Sequence, residues 1–362
     1  MPLNEMLYER GWTQEYLDNR KAGELLRRVC EDRMYYDMQT AVSYIFRVSE
    51  MPELLTQLIE HVLGSEDFDA SWGCLHGIRK YMDDLSARLS ALDGSVAFRL
   101  KGMIDELAVF CRNTMTEIDD SQVEVLFEVR ERLSLGCDPT LVWMKMEERL
   151  NEADESAVVD LWESCPDCHS NVWCQSAYVK SLRLLGRYDE AEQVAGRFIS
   201  GSESEEASLP LVQEMIFILR NTGRYEDAYR MAEHYGSISS DWDFYWLKEI
   251  LSAYIGKPAE ALLMCEKKWD GTDACIYSKA LYLLKMGLYD DAMAAASEGS
   301  VGGDDEDVHW IYVLYLIELA RYWKNAGDAT KAREAYAQAR QYMDKVHMGM
   351  CEYEASGLGL EI

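Results

Sequence analysis

Four residues near the middle of the chain have the types and the spacing of metal ligands. Cys165, Cys168, His169 and Cys174 offer three thiols and one imidazole within ten residues, and structural zinc sites use four such ligands. The Cys-x-x-Cys-His order also fits the spacing at which haem is attached covalently. Chance cysteines in a connecting loop give the same pattern, and that is our main interpretation. Zinc and redox or haem chemistry stay as alternatives, and no cofactor is predicted.

The other motifs that could do chemistry are weak. The acidic run Asp304–Asp307 lacks the alternating ligands and the terminal glutamate of a calcium loop. The six histidines have no recognisable acid–base partner in sequence. The chain also lacks a phosphate-binding glycine loop, a zinc-protease helix and a serine-nucleophile elbow. We therefore predict that the protein is not an enzyme.

The composition is strongly acidic, with 36 basic and 65 acidic residues and a net charge of −29. The acidity is spread along the chain, and such a surface repels nucleic acid and anionic lipid. The first ten residues lack the basic start and apolar core of a signal peptide. The longest apolar stretch, Ile311–Ala320, is too short to cross a bilayer. With ten cysteines and no export signal, we expect reduced thiols and a cytoplasmic location.

A glycine followed five residues later by an alanine recurs through the second half of the chain. The glycines are Gly186, Gly223, Gly256, Gly287 and Gly327, spaced 37, 33, 31 and 40 residues apart. Apolar residues on both sides recur every three or four positions, which is typical of amphipathic helices. A period of this length predicts stacked hairpins, each made of a helix, a tight glycine turn and a second helix.

These units resemble the tetratricopeptide repeat (TPR) family over about residues 139–345. The last unit shows the family pattern most fully, in Leu319, Ala320, Trp323, Gly327, Ala332, Tyr336 and Ala339. In the other units the late aromatic is Ala or Cys, and the opening tryptophan and closing proline are missing. A degenerate sixth hairpin is predicted over residues 140–164, with Ala157 as its packing alanine. The resemblance implies an all-α, right-handed α-solenoid.

We divide the chain into a helical N-terminal region (1–136), the repeat array (137–345) and a C-terminal tail (346–362). No repeat phrase is visible in the N-terminal region, so it consists either of diverged hairpins or of a separate helical cap. Its predicted helices are Gln14–Tyr36, Met38–Val48, Glu53–Val62, Leu75–Leu92, Val96–Cys111 and Gln122–Leu133. Gly11–Leu17 looks like the opening of a repressor-type helix-turn-helix, but the next residues continue as helix.

The resemblance also implies that the first helix of each hairpin lines a concave groove that holds a peptide. We placed groove positions by counting six, three and two residues back from each turn glycine. Six of these fifteen positions are basic and none is acidic, which favours an anionic ligand. Lysine and arginine are also favoured in the last turn of any helix. The predicted groove residues are Lys180, Arg183, Phe217, Arg220, Asn221, Trp246, Ile250, Tyr254, Tyr277, Lys285, Arg321, Lys324 and Asn325.

These observations predict a non-enzymatic scaffold that binds an acidic protein or peptide in the groove. The aromatic groove residues are either binding anchors or simple packing between hairpins. The alternative function is a regulator or sensor linked to nucleic acid, through the N-terminal helices or as an acidic decoy of a DNA-binding protein. Direct nucleic-acid or membrane binding is not expected, and the oligomeric state is left open.

Overall fold

The computed structural model describes residues 35–46, 51–114, 120–239, 242–268, 271–302, 306–343 and 349–360. Within these ranges the chain forms nineteen α-helices, two short 3-10 helices and no strand, which confirms the all-α prediction. None of these helices is both long and apolar enough to span a membrane. The segment Gly11–Leu17 and nearly all of Gln14–Tyr36 lie outside the described ranges.

The helices fall into two compact units, and the first comprises Met1–Glu148 and Cys165–Cys168. Its apolar core includes Leu55, Leu58, Ile78 and Ile104. A side chain at Gly77 would place its Cβ 2.9 Å from Cβ of Val42, so this glycine allows two helices to pack closely. The helices are α1 Tyr35–Ile45, α2 Met51–Ser65, α3 Phe68–Lys80, α4 Met82–Ala91, α5 Gly94–Thr114, α6 Asp120–Leu133 and α7 Pro139–Asn151, the last of which continues beyond the unit.

One predicted helix of this unit is wrong. The segment Leu75–Leu92 is two helices, because Tyr81 has non-helical dihedral angles (φ −113°, ψ 21°) and separates α3 from α4. The Tyr81 ring stacks on Phe46 with 4.9 Å between centroids. This contact is made with a residue 35 positions earlier, so the local apolar pattern contains no sign of the break.

The second unit comprises Arg149–Ser164 and His169–Ile362 and contains the repeat array. Most neighbouring helices pack on each other in chain order, and first helices of most successive hairpins also pack on one another. This is the stacking of a helical solenoid. The helices are α8 Glu155–Ser164, α9 Val172–Leu184, α10 Tyr188–Gly201, α11 Leu209–Asn221, α12 Tyr225–Tyr235, α13 Trp242–Tyr254, α14 Pro258–Lys268, α15 Asp273–Lys285, α16 Tyr289–Ala296, α17 Glu306–Asn325, α18 Ala329–Met343 and α19 Gly349–Ser356.

All five repeat glycines end a first helix, as predicted. Their φ angles lie between 73° and 81°, a range that side chains rarely adopt. Around Gly223, for example, the amide of Arg224 donates to the carbonyl oxygen of Leu219 at 2.9 Å. The amide of Gly223 donates to the carbonyl oxygen of Arg220 at 3.1 Å. These two bonds satisfy the last carbonyls of the helix and make a Schellman turn.

The alanine five residues after each glycine is completely buried in all five hairpins. A methyl group at this position lets the second helix approach its neighbours closely. These residues are Ala191, Ala228, Ala261, Ala292 and Ala332.

Two helices, α7 and α8, occupy the residues predicted as the degenerate hairpin, and the turn between them lies one residue later than predicted. Ala153, at φ 56°, takes the place of the turn glycine, and the amide of Asp154 donates to the carbonyl oxygen of Arg149 at 2.9 Å. Val158 is therefore the fully buried residue five positions on, and Ala157 is only half-buried. The expected packing role of Ala157 is wrong.

Candidate interaction surface on the first helices

The thirteen residues predicted to line a groove all lie on the first helices α9, α11, α13, α15 and α17 of the second unit. We call the side chains that these helices present to one another and to α19 the first-helix surface. Ile250 and Tyr277 are buried, and Tyr277 lies 4.7 Å from the ring of Tyr312. Their packing fits the structural alternative. Lys180 is half-buried and Asn325 is exposed.

A buried ion pair joins two adjacent first helices. Nε of Arg183 on α9 lies 2.8 Å from Oε2 of Glu214 on α11, and each side chain is only 8% exposed. The Phe217 ring lies beside this pair, with its centroid 5.1 Å from Cζ of Arg183 and 4.7 Å from Cζ of Arg220. Both guanidinium groups therefore make cation–π contacts with the Phe217 ring, which stabilise positive charge at this site.

Arg220 is the most deeply buried cation of this surface, at 1% exposure. Its guanidinium lies 4.9 Å from the Trp310 ring, and its Nε donates to Oδ1 of Asn221 at 3.4 Å. The Trp310 ring packs on Trp246 at 4.8 Å. Burial, followed by the positive charge of Arg183, lowers the pKa of Arg220 to about 9. A group of like charges held out of water favours an anion nearby.

A second charged group lies further along the array. Nζ of Lys285 is 3.2 Å from Oε2 of Glu318 and 3.8 Å from the centre of the Tyr254 ring. Arg321 forms an ion pair with the same Glu318 carboxylate. Glu318 on α17 therefore pairs with one cation on α15 and with one on its own helix.

The surface is mixed in charge, whereas the fifteen counted positions are free of acids. Glu214, Glu249 and Glu318 lie nine, seven and nine residues before their turn glycines, so none of them falls on a counted position. Glu214 and Glu249 are buried, and Glu318 is 13% exposed at its side chain. Glu249 accepts a hydrogen bond of 3.0 Å from the Tyr282 hydroxyl. Counting only the last turn of each helix overestimated the excess of positive charge.

The surface between α11 and α17 is covered by α19, in the stretch predicted as a tail. The helix packs on both α11 and α17 and buries Met350, Cys351, Ala355 and the following Leu358. Sγ of Cys351 lies 4.0 Å from the carbonyl oxygen of Trp310. These contacts span the second to the fifth hairpin.

Polar contacts fix α19 at its C-terminal half. Oε2 of Glu354 is 2.7 Å from Nη2 of Arg321, and Oε1 accepts a hydrogen bond of 2.5 Å from the Tyr225 hydroxyl. Nζ of Lys324 donates to the carbonyl oxygen of Leu358 at 2.5 Å. Burial, followed by the negative charge of Glu354, raises the pKa of Tyr225, so this hydroxyl stays a donor. Two predicted groove cations, Arg321 and Lys324, thus bind an acidic helix and its terminal carbonyl.

Two glycines mark where α19 approaches the array most closely. A Cβ built on Gly349 would lie 2.1 Å from the hydroxyl oxygen of Tyr188 and 3.3 Å from Cβ of Asn221. A Cβ on Gly223 would lie 2.1 Å from Cζ of Tyr353. Side chains cannot reach such distances without displacement of a neighbour. The first turn of α19 therefore fits closely against α10 and α11.

Sequence reasoning missed α19, Glu354 and Tyr225. A signal for the helix was present, because Met350, Cys351, Ala355 and Leu358 follow one another at one, four and three residues, which puts them on one helical face. The residues that this face of α19 contacts could not be predicted from the sequence in the same way. Tyr225 and Glu354 are 129 residues apart in sequence.

The four cysteine and histidine residues do not form a metal centre. Cys165 and Cys168 belong to the first unit, and His169 and Cys174 belong to the second. The His169 ring stacks on Trp162 at 4.0 Å. Across the described ranges, no three or more His, Cys, Asp or Glu residues are arranged to hold a metal ion. Part of the acidic run 304–307 lies outside those ranges.

Cys137, which the motif search did not include, lies near Cys165. Its thiol pKa is raised to about 12, first by burial and then by Cys165. A protonated thiol is a weaker nucleophile than a thiolate.

Comparisons with known proteins add little to this description. The chain matches no known protein-family profile and no curated protein. One similar solved structure is described as "Structure of Naa15/Naa10 bound to HypK-THB". The alignment covers 98% of this chain and 76% of that chain, with 12% sequence identity and a TM-score of 0.21. A TM-score this low carries no conclusion, and the all-helical hairpin architecture rests on the helices and turns themselves.

Proposed function

We propose that the second unit is a diverged TPR array that acts as a non-enzymatic interaction module, and that its ligand is an acidic helical segment of a protein. The main observation behind this proposal is the set of contacts that the Glu354 carboxylate makes. A glutamate on a helix lies on the first-helix surface, where Arg321 and Tyr225 contact its carboxylate.

The groups around the Glu354 carboxylate suit an acidic helical ligand. A carboxylate that receives an arginine and a hydroxyl in a largely desolvated place makes charge-assisted hydrogen bonds, which are stronger than neutral ones. The apolar side chains of the same helix supply buried area, and the polar contacts set its orientation. An amphipathic helix laid against a helical surface is a common way of recognising a protein segment.

The proposal is tested with three fluorescein-labelled peptides of residues 346–362. One has the natural sequence, one carries Glu354→Lys, and one carries the matched change Glu352→Lys on the exposed side of α19. Fluorescence anisotropy is measured with the full-length chain and, because α19 already covers the surface, with the full-length Gly349→Ala variant. In any one protein variant, competition from α19 lowers the apparent affinity of all three peptides by the same factor. The ratios of the three affinities therefore measure how the first-helix surface discriminates between the peptides.

We expect the natural peptide and the Glu352→Lys peptide to bind alike and the Glu354→Lys peptide to bind at least roughly tenfold more weakly, a difference of about 1.4 kcal/mol. Equal binding of all three peptides, or no binding to either chain at millimolar concentration, contradicts the proposal.

A further inference from the structure

We infer that α19 is the resident ligand of the first-helix surface and that a partner binds by displacing it. The partner segment is an acidic helix with a glutamate at the position of Glu354. Small apolar residues lie three positions before and one after this glutamate, and larger apolar residues lie four before and four after it. This inference rests on the proposed function and names its ligand and its regulation.

The order of residue types expected in the partner helix follows from the residues that α19 buries. Relative to Glu354, the buried residues are Met350 and Cys351 before it and Ala355 and Leu358 after it. Cys351 faces the backbone of Trp310, and Leu358 ends the contact where Lys324 binds its carbonyl oxygen. The side chain of Glu352 is exposed, so the pattern places no demand on it.

The length of α19 makes it a displaceable ligand. It has eight residues, and isolated helices shorter than about 12 residues are marginal in water. Its helical state therefore depends on the contacts with α11 and α17, and undocking and unfolding of the segment occur together. Residues 344–348 join it to α18. A ligand on a short tether competes with an effective concentration on the order of millimolar, so a partner must match the contacts of α19 to replace it.

The substitution Gly349→Ala should weaken the docking of α19 while every residue of the first-helix surface stays unchanged. Its Cβ would lie 2.1 Å from the Tyr188 hydroxyl oxygen, whereas a Cβ on Gly357 would have no neighbour closer than 3.5 Å. Both changes replace glycine by alanine near one end of α19. Gly349→Ala also favours the helical state of the free segment, so any loss of docking comes from the crowded contact. Gly357→Ala is the matched control.

The experiment measures binding of the natural 346–362 peptide to the full-length wild-type, Gly349→Ala and Gly357→Ala chains by anisotropy. We expect Gly349→Ala to bind the peptide at least roughly tenfold more tightly than wild type, the range that overpacking of a close contact produces. We expect Gly357→Ala to match wild type. Equal affinity of all three chains overturns the inference. The proposed function still stands in that case if the peptides keep their preference for Glu354.

A second pair of variants decides the question if Gly349→Ala does not fold. Glu354→Gln removes the charge that Arg321 binds, and Glu352→Gln removes a charge from the exposed side of the same helix. We expect tighter peptide binding only for Glu354→Gln. If Gly349→Ala and Glu354→Gln both lose cooperative thermal unfolding, α19 is an indispensable part of the fold and the inference is overturned.

Discussion

The carboxylate of Glu354 lies 2.7 Å from the guanidinium of Arg321, a residue 33 positions earlier in the chain. Arg321 is one of the residues that the repeat phrase places on the ligand-facing side of a first helix. Its partner comes from the chain's own α19. A surface predicted to bind an acidic segment thus already contacts one.

Gly223 and Gly287 form a matched pair for the contact between α19 and the array. Both have φ near 78°, so alanine at either position costs roughly 1 kcal/mol in backbone strain. A Cβ on Gly223 would collide with Tyr353, whereas nothing lies within 4 Å of one on Gly287. We expect Gly223→Ala to lower the free energy of unfolding by an additional 1–3 kcal/mol, roughly the cost of overpacking.

Urea denaturation measures both variants, alone and combined with Tyr353→Ala. Removing the ring should abolish the difference between Gly223→Ala and Gly287→Ala. Equal losses in the chain that keeps Tyr353 would show that the ring does not contact the turn.

The buried pair Arg183–Glu214 should be far more sensitive than the exposed pair Arg187–Glu190. The side chains of the first pair are 8% exposed and those of the second more than 40%. Arg183→Met leaves a carboxylate buried without its cation, which costs about 3–5 kcal/mol, whereas Arg187→Met should cost under about 1 kcal/mol. Chemical denaturation of both variants checks this. Similar losses would indicate that water reaches the Arg183 pair.

Glu249 should make the second unit less stable as the pH rises. Burial raises its pKa from 4.5 to about 7, while the Tyr282 hydrogen bond and Lys268 act in the opposite direction. The native state therefore holds more protons than the unfolded state between these values. The stability contribution of Glu249 is complete below pH 4.5 and is lost as the pH rises through 7.

The variant Glu249→Gln removes this dependence. Relative to wild type, it should gain up to about 3 kcal/mol of unfolding free energy between pH 5 and pH 8. Glu233→Gln is the control and should show no such gain between pH 5 and pH 8, because hydrogen bonding to Lys248 lowers the pKa of the exposed Glu233 and its stability contribution changes only at more acidic pH. If the difference between Glu249→Gln and wild type does not change with pH, Glu249 is not a buried proton-binding group.

The hairpins could be predicted because their signals are local. A glycine at positive φ ends a helix wherever it occurs, and a buried alanine five residues later needs only its own helix period, so Gly223 and Ala228 were recognisable from the sequence alone. The charge of the surface depends on pairing between helices. Arg183 is 31 residues from Glu214, and nothing near Arg183 in sequence indicates that its charge is already matched. The same holds for Tyr225 and Glu354, which meet only once the hairpins have stacked.

The most direct test of the account is to reverse the charge at Arg321 and ask whether the choice of peptide reverses with it. The full-length Arg321→Glu chain is titrated with the natural 346–362 peptide and with the Glu354→Lys peptide, and the ratio of the two affinities is compared with that of wild type. Arg333→Glu, an equal charge reversal at an exposed position of α18, is the control and should keep the wild-type preference for glutamate. We predict that the Arg321→Glu chain binds the Glu354→Lys peptide more tightly than the natural peptide. An Arg321→Glu chain that folds normally and still prefers glutamate would contradict it.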